Sequence, residues 1–172
     1  MVRDSTPEDV PAIASIYGHW VTHGLASFEV EPPSVEEMGR RREALVSGRY
    51  PHLVGEDGGR VLGYAYASAY RTRPAYRFCV EDSVYVAPGV SRGGVGRALL
   101  AALIARCEAA GFRQMIAVIG DSGNAGSIGL HAALGFSRAG LLPSIGWKHG
   151  RWVDSVLMVR ALGPGDGAPP AG

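Results

Sequence analysis

The chain has 172 residues, 47% of them hydrophobic, and its 17 basic and 16 acidic residues leave a net charge of +1. This length suits one domain with a sizeable core, and the charge balance excludes nucleic acid or a membrane as a partner held by bulk electrostatics. Two cysteines, Cys79 and Cys107, in no ligand-like spacing exclude a disulfide framework and a Cys-based metal site.

In chain order, Val2 to Asp4 reads as a short strand. Thr6-Pro7-Glu8-Asp9 carries a helix start, with a capping hydroxyl, Pro at the first position and acids in the first turn. Val10, Ile13, Ile16, Tyr17 and Trp20 continue at helical spacing. Ser34 opens a second helix with Glu37 three residues on, a capping box; its polar, Arg-rich run predicts a surface helix. His52 to Glu56 and Val61 to Ala69 read as strands about a turn at Asp57-Gly58-Gly59. Arg77 to Ala87 is a further strand. A helix with an apolar stripe at Val95, Leu99, Leu103 and Ile104 ends at Gly111. Gln114 to Ile119 is an apolar strand, and a helix from about Asn124 to Leu134 stops at Gly135. Two closing strands, about Ser137 to Trp147 and Trp152 to Ala161, flank His149-Gly150. The order βααβββαβαββ predicts an α/β (α+β) domain around a mostly antiparallel sheet, spanning residues 1–162. Residues 163–172, all Gly, Pro and Ala but for one Asp, are expected to be a disordered tail. The charged N-terminus is unlike a signal peptide, and no apolar run approaches the ~18 residues of a membrane span. A cytoplasmic protein with reduced thiols is expected, with no metal.

The most informative segment is Val84-Tyr85-Val86, a short loop, and Gly93-Gly94-Val95-Gly96 at a helix start. Glycines allow positive φ and close approach of a ligand to the backbone. A helix N-terminus offers free amides and the positive end of a dipole, which suits a pyrophosphate. Arg92 and Arg97 add charge beside it. Gly94-Val95-Gly96-Arg97-Ala98-Leu99 lacks the third glycine of the dinucleotide fingerprint. The only lysine, Lys148, is too distant for a P-loop. The turn by itself is equally compatible with a tight strand-to-helix connection.

Ser91-Arg92-Gly93-Gly94-Val95-Gly96 resembles the acetyl-CoA turn of GNAT acetyltransferases, Gln/Arg-x-x-Gly-x-Gly/Ala, with Ser at the first position. Asn124-Ala125-Gly126-Ser127-Ile128-Gly129-Leu130-His131-Ala132-Ala133-Leu134-Gly135-Phe136 is similar to the helix that follows in that family. His131 stands where many members have Tyr, which is typical of the phosphinothricin and methionine sulfoximine/sulfone acetyltransferases. Val80 to Val86, Tyr70 to Tyr76 and Gly146 to Asp154 resemble further segments of that subgroup. The resemblance covers about residues 2 to 162. It implies a splayed sheet, acetyl-CoA as co-substrate, a small amine substrate and a homodimer.

Direct acetyl transfer to an amine requires removal of a proton from the amine, polarisation of the thioester carbonyl and protonation of the departing thiolate. By resemblance Glu81 is the base, directly or through water; otherwise it is a solvated carboxylate at a strand end. His131, with an ordinary pKa near 6.5, is either a second proton carrier or a core histidine. The resemblance assigns the Val86 backbone amide to the thioester oxygen and places Val84, Tyr85 and Val86 beside the pantetheine arm. Tyr85 is an alternative acid, though the resemblance has it face the substrate or a partner subunit instead. Asn124 reads as an N-cap, and by resemblance as a contact of the CoA arm. Arg71 and Arg73, two apart on an extended segment, share a side and can grip a carboxylate or phosphinate. With Thr72, Tyr76, Asp82 and Ser83 they are the expected substrate contacts, and Phe28 and Glu29 are expected to wall the amine pocket. Other amines, a peptide N-terminus, or a CoA-binding protein without activity are the remaining readings.

Overall fold

The computed structural model describes every residue except 91, 92, 171 and 172, so the sequence readings at Ser91 and Arg92 lie outside the described residues. Its first half runs β1 (Val2–Asp4), α1 (Val10–His23), α2 (Val35–Ser47), β2 (His52–Asp57), β3 (Arg60–Ala69) and β4 (Cys79–Val86). The second half runs α3 (Val95–Ala109), β5 (Gln114–Gly120), α4 (Ala125–Ala133), β6 (Ser137–Lys148) and β7 (Arg151–Ala161). This is the order expected from the sequence. One difference lies at the first helix. Pro7–Asp9 form a separate 3-10 turn before α1, closed by a 2.7 Å hydrogen bond from the Thr6 amide to the Asp9 carboxylate. At α2 the expected cap is present, with the Glu37 amide donating to Ser34 Oγ at 3.1 Å.

The seven strands form one sheet in the order β1-β2-β3-β4-β5-β7-β6. Among the described residues β4 and β5 are its only parallel neighbours, and their pairing runs from Cys79↔Gln114 to Asp82↔Ala117. Beyond Asp82, β4 stays with β3 while β5 stays with β7. The sheet therefore opens into a wedge between Ser83–Val86 and Val118–Gly120.

Period-2 alternation divides the residues between two faces. Leu53, Ala65, Ala67, Val80, Met115, Ala117 and Met158 pack with Leu99, Leu100, Leu103, Ile104 and Cys107 of α3. Val54 and Tyr64 pack on the opposite face against Ile13, Tyr17 and Val21 of α1 and Met38 of α2. Each fully buried leucine of α3 contributes about 1.5–3 kcal/mol by leaving water, which anchors the helix whose N-terminus adjoins the wedge. Gly111, at φ 87°, closes that helix as expected.

After β7, Leu162 is buried, and the Arg113 guanidinium donates to the carbonyls of Gly165, Ala168 and Pro169 at 3.2, 3.2 and 2.8 Å. One planar guanidinium gathers three carbonyls that composition alone gives no reason to hold.

Candidate active site

The wedge is built from backbone. Ala87 N–H donates to the Leu62 carbonyl at 2.8 Å, and the register places Tyr85 opposite Tyr64 and Ser83 opposite Tyr66. In an antiparallel pair the groups facing the partner alternate. The amides of Tyr85 and Ser83 therefore face β3, and those of Val84 and Val86 face away from it, where β5 has departed. The Val86 carbonyl, on that same side, accepts Trp20 Nε1 at 2.7 Å, which holds the strand end in place. The Val86 amide is thus directed into the wedge, as an oxyanion donor requires.

At the end of the wedge the chain turns into α3. Gly94 is its N-cap at φ 76°, a conformation that costs other residues roughly 1–2 kcal/mol. A Cβ at Gly93 would meet nothing nearer than 4.0 Å. Packing therefore leaves open space over this turn, beside the free amides of the helix start. Arg97 is exposed in the first turn of α3. The side chains of Val84 and Val86 lie on the α3 face: Val84 joins its core cluster, and Val86 Cγ2 lies 3.4 Å from where a Cβ of Gly96 would stand. A 50 Å³ cleft in the wedge is lined by Ser83, Val84, Asn124, Ser127 and His131, among others. Asn124 is the N-cap of α4, its Oδ1 accepting from the Ser127 amide at 3.1 Å, and it borders the cleft as well.

Across the sheet lies a cavity of about 400 Å³. Its walls include Tyr17, Phe28, Glu29, Tyr66, Glu81 and Ser83. Phe28 packs against Gly146 of β6, so close that a Cβ there would collide with the ring. Glu29 is held by Arg41 at 2.7 Å. Lys148 is buried and donates to the Ser27 carbonyl at 2.7 Å, pinning the α1–α2 connection that carries Phe28. Burial raises the Glu81 pKa, and the Asp82 charge adds to the shift.

Asp82 is not beside Glu81 in this cavity. Adjacent residues of a strand point to opposite faces, and the Asp82 side chain is 1% exposed beneath α4, with Oδ2 2.8 Å from His131 Nε2. His131 Nδ1 lies 2.7 Å from the Ser127 carbonyl, which can only accept, so Nδ1 carries a hydrogen. A further proton lies between Nε2 and Asp82, leaving the ring no lone pair for an incoming amine proton. Burial lowers the His131 pKa, but the Asp82 hydrogen bond and charge outweigh it and the net shift is upward. Asp82 Oδ1 has no partner among the described residues. The pairing was legible in part, since a carboxylate on the core-facing phase of an apolar strand needs a partner.

Tyr85 turns its ring toward the cavity that holds Glu81, where it stacks on Tyr64 at 5.4 Å and meets Tyr17 edge-on at 5.1 Å. Only its backbone borders the wedge, and burial pushes its phenol pKa well up, against a role as acid. Arg71, Thr72, Arg73 and Tyr76 are exposed on the β3–β4 connection. None of them lines the cavity that holds Glu81. Arg71 instead lies 5.2 Å over the Tyr70 ring.

A model of the acetyltransferase (GNAT) family matches residues 18–136. The chain belongs to the GNAT acetyltransferase family. A phosphinothricin N-acetyltransferase of Alcaligenes faecalis is 55% identical over 166 residues, covering 96% of this chain and 83% of that protein. An L-methionine sulfoximine/L-methionine sulfone acetyltransferase of Pseudomonas paraeruginosa is 40% identical, covering 98% of each. The crystal structure of a phosphinothricin acetyltransferase from Sinorhizobium meliloti in complex with AcCoA matches at a TM-score of 0.97 and 48% identity, covering 99% of this chain and 92% of that one.

The protein is accordingly an acetyl-CoA-dependent N-acetyltransferase. The open glycine turn, the wedge and its inward-facing amides fit that co-substrate: pyrophosphate at the helix start, pantetheine along the splayed strand. Burial raises both thiols, Cys107 to about 12, so neither is a ready nucleophile. Direct transfer from the thioester to the amine needs none. Among the described residues, no helix is long and apolar enough to cross a membrane.

Proposed function

We propose that the substrate is the α-amino group of a small amino-acid analogue of the phosphinothricin, methionine sulfoximine or methionine sulfone type. The observation that carries this reading is the position of Glu81, a carboxylate with a raised pKa in a cavity of about 400 Å³ on the strand that lines the wedge. Glu81 takes the amine proton, directly or through a water. The amine attacks the thioester carbonyl, and the Val86 amide holds the oxyanion, a contribution of roughly 3–4 kcal/mol in such sites. As the tetrahedral adduct collapses, the proton shared by His131 and Asp82, both of which line the wedge cleft, passes to the departing CoA thiolate. Asn124 steadies the CoA arm, Val84, Tyr85 and Val86 border it by their backbone, and Arg92, Arg97 and the glycine turn serve its phosphates. Ser83 and Phe28 complete the amine pocket.

The protein acts as a cytoplasmic homodimer in this reading. Its two free cysteines suit a reducing compartment. Leu141, Leu142, Ile145, Trp147 and Trp152 leave an apolar face exposed on the β6–β7 hairpin, with the two tryptophans 58% and 62% accessible. Arg71 and Arg73 anchor the substrate carboxylate, with Thr72 and Tyr76 beside them, and from their exposed connection they do so in the pocket of the second copy. Resistance to the corresponding herbicide or antibiotic follows as a consequence of acetylation.

Steady-state thiol release with phosphinothricin, methionine sulfoximine, methionine sulfone, unmodified amino acids and an alanine-initiated peptide tests the reading. A preference of at least tenfold in kcat/KM for the first three is expected. A preference for the peptide would overturn it, an outcome the 37% identity to a ribosomal-protein-alanine N-acetyltransferase from Brucella melitensis makes worth including.

A further inference from the structure

A second cavity, of about 350 Å³, lies on the same sheet face as the amine pocket and is lined by Arg42, His52, Tyr64 and Ser68, with Tyr17 and Tyr66 as walls common to both. The acyl-transfer steps above use none of its polar groups. Among the described residues the fully buried Tyr64 hydroxyl has no partner, and His52, 5% exposed, has none at Nδ1. Native interiors seldom leave such groups unpaired. Arg42, on a helix whose Arg-rich run predicted a surface, is only 8% exposed. Its Nε and Nη2 donate to Ser5 Oγ and the Ser5 carbonyl, both uncharged, and among the described residues no carboxylate pairs with it. A buried cation without a counter-charge favours an electron-rich neighbour. Burial pushes His52 down to about 4, so its ring is neutral and offers a single N–H.

The register connects this cavity to the chemistry. Ser68 is opposite Glu81 across β3 and β4, and Tyr66 lies between Ser83 on one side and His52 on the other. One strand spacing of roughly 5 Å separates Glu81 from Ser68, and a second leads on to β2, which carries His52.

We propose that this cavity receives the distal, oxygen-bearing end of the amino-acid substrate, through hydrogen bonds from Tyr64, His52, Ser68 and the Arg42 guanidinium. The inference rests on the amine-acetylation reading above. A tetrahedral oxo group, whether phosphinate, sulfone or sulfoximine, accepts several hydrogen bonds at once, and the cavity presents mainly donors. A site built this way discriminates against an analogue lacking the oxygen atoms.

The test uses the full chain and compares methionine sulfone with methionine, which differ only in two sulfur-bound oxygens. Tyr64→Phe and Ser68→Ala should each lower the sulfone-to-methionine ratio of kcat/KM by tenfold or more, and Tyr64→Phe should not lower Tm. Calorimetric binding of methionine sulfone to the CoA-loaded protein should weaken by a similar factor. A ratio and an affinity unchanged in both variants would overturn the subsite, even with brisk turnover, and would mean a cavity filled by water only. Failure of the wild type to acetylate either amine would instead strike at the proposed function, while sulfone binding lost in Tyr64→Phe would still support the subsite.

Discussion

At the scale of single residues, two acids three bonds apart along the backbone do different work because a strand turns them to opposite faces. Glu81 faces the amine cavity, and burial with the Asp82 charge raises its pKa. Its base form is lost at a higher pH than an ordinary carboxylate's, so the acid limb of kcat/KM lies above the usual range near 4.3. Asp82→Asn removes the like charge and shifts that limb to lower pH, read from a pH–rate profile. Glu81→Gln should lower kcat about 10²-fold or more with CoA affinity unchanged, as measured by thiol release and calorimetry; an equal loss in both would mean a structural role. The His131–Asp82 pair has a different signature. The raised His131 pKa means its stabilisation is fully present below the unfolded value near 6.5 and is lost as pH rises through the folded one. Asp82→Ala should therefore cost about 3 kcal/mol near pH 6 and less at pH 9, seen in denaturant unfolding at both. A gap that widened with pH would contradict the charged pair.

At the scale of elements, the site depends on where β4 and β5 stop pairing. The strands and the glycine-led helix were each legible from period, caps and turn residues. The divergence after Asp82 was not, because Ser83 to Val86 and Val118 to Gly120 read as ordinary strand whether or not they are paired. The family resemblance implied the splay; the register demonstrates it. Gly94 belongs to this scale because its φ of 76° aims the first amides of α3. Gly94→Ala should destabilise the fold by about 1–2 kcal/mol and weaken CoA binding several-fold, by thermal unfolding and calorimetry. A change in stability without one in CoA affinity would remove the turn from the binding site.

At the scale of the whole molecule, the proposed homodimer would bring Arg71 and Arg73 of one copy to the Glu81 cavity of the other. Trp147→Glu with Trp152→Glu should convert a dimer to a monomer in light scattering after gel filtration, with loss of turnover. Mixing inactive Glu81→Gln chains with inactive Arg71→Ala chains should restore part of the activity, because one pocket of the mixed dimer then has both groups intact. No recovery, with exchange of subunits verified, would place the arginines outside the site.

The amino-acid sequence by itself determined the element order, the Ser34 cap and the glycine turn, because each is written in local spacing: periods of 2 and 3.6, a hydroxyl three residues before a carboxylate, glycines where φ must be positive. Only the tertiary structure decided which of these meet. Strand phase put Glu81 and Asp82 on opposite faces, helix packing set His131 over Asp82 with both ring nitrogens committed, and the loss of one strand pairing turned the Val86 amide toward an open wedge. Those outcomes depend on contacts between segments far apart in the chain, such as residue 82 with residue 131 or residue 20 with residue 86, and no local pattern carries that information.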